Sequence, residues 1–177
     1  MLPRNGWPSE RGKEDEAMKM IAPMEVGLTV KDLPKMLDFY CTAFGMTVAA
    51  DVSVPAPKAL EAALSAGAYR VVRLQTPWGE RIKLLAPEQM PEDRPAPGAY
   101  ILDQHAASYL TFIVDDLPAV LAGAIKAGAA PMTGAAPVEV RPGTYLAFLR
   151  DPEGHILEIV QYADIAAYRP DLTELGQ

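Results

Sequence analysis

Two histidines, His105 and His155, and one cysteine, Cys41, are the only imidazole and thiol groups in this 177-residue chain. A single thiol excludes an internal disulfide framework and any zinc site built from several thiolates. Two imidazoles serve a metal only where the fold delivers both to one place. His105 stands in a proline-rich connecting stretch and reads as a surface-loop side chain. Folded over a pocket mouth, it could instead supply a base or a ligand. His155 follows Gly154 in a short turn and is expected to face solvent. Cys41 adjoins Tyr40 on a helical stretch with no obvious partner base, which suits an inert thiol. Arg73 and Arg81 lie in strand-like stretches. Arg81 could bind a substrate carboxylate or phosphate through its guanidinium fork, or close an ion pair at a rim.

The rest of the composition is that of an ordinary folded chain, half apolar and 22% charged. Sixteen basic against 23 acidic residues give a net charge of −7, and no two basic residues adjoin. Phosphate backbones are bound by Lys/Arg clusters, so a nucleic-acid partner is not expected. No stretch approaches the roughly 20 apolar residues of a membrane span. The first residues lack the apolar core of a secretory signal. A cytoplasmic location is therefore expected, in keeping with one free thiol. Residues 1–21 are polar and read as a flexible extension, with Met18 an alternative start of translation.

The elements that must position these side chains occur twice. Val30-Lys-Asp32-Leu33-Pro34 returns as Val114-Asp-Asp116-Leu117-Pro118, an offset of 84 residues. Leu74-Gln-Thr-Pro77-Trp-Gly79 returns as Leu149-Arg-Asp-Pro152-Glu-Gly154 at an offset of 75. The order is kept while the first copy carries about nine extra residues, which include the helical insertion 55–64. Each copy opens with an alternating strand, 25–30 or 109–114. Asp32 or Asp116 then caps a helix whose first turn holds a proline, and Gly45 or Gly128 ends it. Three strands follow, near 46–53, 69–75 and 81–85 in the first copy and 131–133, 144–150 and 156–161 in the second. The fold class is therefore α+β: two tandem β-α-β-β-β modules, 22–85 and 107–163, forming paired curved sheets around a cleft. A Pro-rich linker, 86–106, joins them, and 164–177 is a C-terminal tail. One helix covers only one face of each sheet, so the other faces are left to build a ligand site.

The segments VGLTVKDLPKMLDFYCTAFGM (26–46), LTFIVDDLPAVLAGAIKAG (110–128) and FLRDPEGHILEIVQ (148–161) resemble the glyoxalase / bleomycin resistance / extradiol dioxygenase group, the vicinal oxygen chelate superfamily. The likeness covers about 22–163. It implies the fold but not the reaction, because the superfamily includes isomerases, lyases, dioxygenases and plain drug-binding proteins. In its metal-dependent members the ligands come from four equivalent strand positions. Carried over one by one, these fall on Glu25, Lys83, Tyr109 and Glu158. The family commonly has His or Gln, Glu, His and Glu there, so only Glu158 matches. Strand alternation independently puts the four on the face opposite Val26/Leu28, Ile82/Leu84, Leu110/Phe112 and Leu157/Ile159. A lysine ammonium offers a cation no lone pair and repels it. The resemblance thus implies a degenerate metal site and no cofactor. The alternative is a divalent metal held by Glu25 and Glu158 with His105 swinging in.

One reading of the polar cluster pairs Glu25 with Lys83 and Tyr109 with Glu158 as structural contacts. The other makes it an acid/base site. There Glu158 is the base, Lys83 and Tyr109 stabilise an oxyanion, Glu25 holds Lys83, and Arg81, Thr29, Thr111 and His105 contact substrate. The function expected is a glyoxalase-like isomerase or lyase acting on a small carbonyl or carboxylate metabolite, as a homodimer. The alternatives are a non-catalytic small-molecule-binding protein of the bleomycin-resistance kind and a metal-dependent lyase or epimerase.

Overall fold

A computed structural model describes residues 20–93 and 100–174. Most of the expected N-terminal extension, the middle of the linker and the last three residues lie outside these. Strand β1 (Glu25–Thr29), helix α1 (Leu33–Phe44), β2 (Thr47–Val54), a short α2 (Ala56–Glu61), β3 (Tyr69–Gln75) and β4 (Arg81–Pro87) form the first module. Strand β5 (Leu110–Ile113), α3 (Leu117–Lys126), β6 (Ala130–Pro131), β7 (Val138–Arg141), β8 (Thr144–Arg150) and β9 (Ile156–Tyr162) form the second. Two short helices, α4 (Ile165–Tyr168) and α5 (Pro170–Glu174), follow.

Both long helices start and stop where their capping chemistry dictates. Asp32 accepts from Lys35 N at 3.1 Å and Asp116 from Ala119 N at 3.0 Å, each satisfying one of the orphan donors of a first turn. Gly45 ends α1 with φ +61°, a left-handed conformation that a Cβ disfavours. The first sheet runs β1-β4-β3-β2 and the second β5-β9-β8-β6, with β7 also on β8. In each sheet the opening strand pairs in parallel with the module's last strand, β1 with β4 and β5 with β9. The repeat read from the sequence is thus a repeat of topology.

Helix α1 buries Leu33, Met36, Phe39 and Tyr40 against Leu74, Ile82 and Leu84. Helix α3 buries Leu117, Leu121 and Ala124 against Leu149, Leu157 and Ile159. The two helices pack on each other, so the two modules share one apolar core. Phe44 of α1 stacks on Phe112 of β5 with centroids 4.3 Å apart. Tyr40 is fully buried and donates its hydroxyl proton to Asp151 Oδ2 at 2.9 Å. Glu153 accepts from the backbone N–H of Lys31 at 2.8 Å and of Asp32 at 2.6 Å. The β8–β9 turn of the second module therefore clamps the β1–α1 corner of the first. The face of each sheet turned away from α1 and α3 carries the polar positions singled out above.

Four elements, β6, β7, α4 and α5, differ from the sequence-based expectation. The strand expected at 131–133 is only two residues long, and β7 supplies an extra strand that was not expected. Valines alternate with Glu139 and Arg141 in β7, yet all four residues are exposed, so no buried face marked it. The C-terminal stretch folds into α4 and α5 because Asp164 caps α4, accepting from Ala167 N at 2.9 Å. The expected insertion helix is present as α2.

Candidate functional site

On the first sheet the alternation of β1, β3 and β4 gathers four charges. Glu25 lies opposite Arg81 in the parallel pair, and Arg73 lies opposite Lys83 in the antiparallel one. Paired residues share a face, so all four side chains project to the side away from α1. Arg81 Nη1 is 3.5 Å from Glu25 Oε1, while Arg73 Nε and Lys83 Nζ are each 3.7 Å from Oε2. Gln75 orients Arg81 by accepting from its Nε at 2.8 Å. The four side chains are 29–38% exposed, between buried and free. Three cations around one carboxylate leave a local charge of +2 on a chain whose net charge is −7.

The corresponding face of the second sheet is built differently. Glu158 Oε2 accepts from Thr111 Oγ1 at 2.6 Å, across the β5–β9 pair. Beside them Phe148 meets Tyr109 edge-on, with centroids 5.2 Å apart. Further along the same face Tyr162 is stacked on Tyr168 of α4, with centroids 3.8 Å apart and planes 14° apart. A cavity of about 340 Å³ lies there, lined by Arg141, Thr144, Tyr162, Asp164 and Tyr168 among others. Burial and the hydrogen bond with Tyr168 push the Tyr162 hydroxyl up to about 12, and the negative charge of Glu158 adds to the effect. This face is an aromatic and apolar wall with a carboxylate set in it.

The expected residues therefore divide between two sheets. Glu25, Lys83 and Arg81 are together, joined by Arg73; Thr29 is exposed on the same face. Glu158 and Thr111 are together. Of the two expected structural pairs, Glu25–Lys83 is present, but Glu158 takes its hydrogen bond from Thr111 and Tyr109 packs on Phe148 instead. Tyr109 falls one residue before β5, which starts at Leu110. His105 is exposed in a turn after a short 3-10 segment, Ile101–Asp103. His155 corrects the solvent-facing expectation: its Nε2 is buried and has no hydrogen-bond partner. Asp151 Oδ1 accepts from the backbone N–H of Glu153 at 3.0 Å and of His155 at 2.9 Å, and this curled turn carries the imidazole inward. Burial, with Asp38 nearby, holds the Cys41 thiol above its ordinary range, which suits an inert side chain. Tyr162, Tyr168 and Arg141 were missed. Parity from Glu158 would have found Tyr162, but nothing in the sequence pattern announced β7 or the fold-back of α4.

Comparison with known proteins agrees with this architecture. Residues 23–159 match the model of the glyoxalase/bleomycin resistance protein/dioxygenase superfamily, and the chain belongs to that family. The structure is similar to a glyoxalase family protein from Bacillus cereus, at 19% identity and TM-score 0.70, covering 84% of this chain and 99% of that one. It is similar to the trypanothione-dependent glyoxalase I of Leishmania major at 20% identity and TM-score 0.59, covering 86% and 95%. A glyoxalase/bleomycin resistance protein/dioxygenase family enzyme from Burkholderia phytofirmans aligns at 25% identity and TM-score 0.52, covering 78% and 96%. A search of curated proteins finds no significant match.

The charges gathered around Glu25 do not suit a divalent cation. Three cations stand around its carboxylate, and the Lys83 ammonium offers a metal no lone pair. Among the described residues no group of three or more His, Cys, Asp or Glu side chains could hold a metal ion. The set Glu25, Glu158 and His105 is thus not gathered. No helix among the described residues is long and apolar enough to cross a membrane.

Proposed function

We propose that the protein is a small-molecule enzyme of isomerase or lyase type, working by acid/base chemistry on a carbonyl or carboxylate metabolite. The observation that supports this most is the pairing of Lys83 with Glu25 at positions where the family places metal ligands. An ammonium there can do electrostatically what a Lewis acid does, stabilising negative charge on a substrate oxygen. Glu158, steadied by Thr111, is the base. It takes the proton from the carbon next to the carbonyl. The C–H electron pair moves into the new C=C bond, and the carbonyl π pair moves onto oxygen, the charge that this reading assigns to Lys83 and Tyr109 to stabilise. Return of the proton to a neighbouring carbon is an isomerisation; departure of a β-substituent with the electron pair is a lyase step. The working form is a homodimer, expected to run at about twice the 19.1 kDa chain mass in light scattering.

The test is deuterium incorporation from D₂O into a panel of 2-oxo acids and 2-hydroxy carbonyl compounds, followed by proton NMR. Glu158→Gln is expected to cut exchange about a hundredfold or more, and Lys83→Met about a hundredfold. Full activity in both variants overturns the mechanism. A second reading, ligand sequestration without turnover, is favoured by the aromatic wall of Phe148, Tyr109 and Tyr162. It predicts stoichiometric binding and no exchange with any compound.

A further inference from the structure

We infer that Arg73, Arg81 and Lys83 form an anion anchor that holds the oxyanion group, carboxylate or phosphate, of a small-molecule ligand. This deepens the reading above by naming the substrate's charge, and it gives Arg73 a role. Three features carry it.

The first is unused donor capacity. All three cations stand 3.5–3.7 Å from Glu25, close enough to be attracted but too far for short, directed hydrogen bonds. Among the described residues, the side chains of Arg73 and Lys83 make no hydrogen bond to protein groups, and that of Arg81 spends only its Nε, on Gln75. A guanidinium has five N–H donors in a planar fork that matches a carboxylate or phosphate edge, and an ammonium has three more. Glu25 therefore gathers the cations without saturating them.

The second is charge. The cluster is locally +2 on a chain that is −7 overall, so it opposes the field of the rest of the molecule. A structural ion-pair network needs no such excess; one cation would balance Glu25.

The third is position. The cluster sits on three adjacent strands, the edge strand β1 and the inner strands β4 and β3, on the face not covered by α1. Strands hold side chains more rigidly than the loops where solvated charges usually collect. Partial burial shields the group without desolvating it fully, which keeps the arginines and Lys83 available to a ligand.

The test is a ¹⁵N NMR titration of the full chain in low-chloride buffer, with acetate, malonate and inorganic phosphate as separate probes. The expected result is saturable shifts centred on the Arg73 and Arg81 Nε resonances and the amides of Lys83 and Glu25. Malonate binding tighter than phosphate marks a carboxylate ligand, and the reverse order marks a phosphate ligand. Arg73→Gln and Lys83→Gln should each weaken binding about fivefold to tenfold. Glu25→Gln should tighten it by roughly fivefold, because the local charge rises to +3. Dispersed spectra establish that each variant is folded. Shifts scattered over the surface, affinity unchanged in Arg73→Gln and Lys83→Gln, or weaker binding in Glu25→Gln overturns the anchor. Because binding is read without turnover, its loss is distinguishable from failure of the acid/base reading: exchange lost in Glu158→Gln while the saturable shifts at Arg73, Arg81 and Lys83 persist separates the two.

Discussion

Replacing Tyr40 with Phe removes one hydroxyl and tests how the two modules are held together. Tyr40 is fully buried on α1, and its hydroxyl donates to Asp151 Oδ2 at 2.9 Å in the other module. Asp151 is 3% exposed, so no bulk water replaces the lost donor freely. A hydrogen bond to a charged group contributes about 1.5–3 kcal/mol, and a loss near 2 kcal/mol lowers Tm by roughly 6 °C in a chain of this size. Urea unfolding followed by circular dichroism at pH 7 reads the loss. A second signature lies in the alkaline range. Burial first, then the charge of Asp151 and the hydrogen bond to it, hold the Tyr40 hydroxyl far above its ordinary value of 10. The folded chain thus keeps a proton that the unfolded chain releases above about pH 10. Stability from this group is complete below that pH and falls by about 1.4 kcal/mol per unit above it. The Phe variant lacks this fall, so the gap between the two proteins should close near pH 11.5, to about half a unit. A variant as stable as the parent at pH 7, or a gap constant from pH 7 to 11, refutes the clamp.

Tyr168→Ala removes the ring stacked on Tyr162; the Tyr162 hydroxyl should then titrate nearer 10 than about 12, seen as tyrosinate absorbance near 295 nm. An unchanged titration means that α4 does not cover that face. Thr111→Val frees the Glu158 carboxylate from its 2.6 Å partner and should slow deuterium exchange about tenfold while leaving Tm within a few degrees. Unchanged exchange removes Thr111 from the site.

Much of the fold was legible because it is written in local chemistry that occurs twice. The Asp-Leu-Pro caps at 32–34 and 116–118, the period-2 strands and the Pro-x-Gly turns each specify their element without tertiary help, and the repeat specifies the topology. What stayed hidden depends on contacts far apart in sequence. Strand β7 buries no face of its own and exists because β8 offers it an edge. His155 turns inward because Asp151 bonds two backbone groups of the same turn, which no spacing of residue types reveals. The site shows the same divide. Parity placed Glu25, Lys83 and Arg81 on one face; the approach of Arg73 follows from the Arg73–Lys83 register of β3 on β4, which a single strand's pattern does not contain.

The central proposal is that Arg73, Arg81 and Lys83, gathered around Glu25, take an anion rather than a divalent cation. Titration of Mn²⁺ into ¹⁵N-labelled protein tests it most directly, since a bound ion broadens every amide within several ångströms. The account predicts no selective broadening at Glu25, Lys83, Thr111 or Glu158 at one equivalent of Mn²⁺. Broadening centred on Glu25 and Glu158, and abolished by Glu25→Gln, would contradict it.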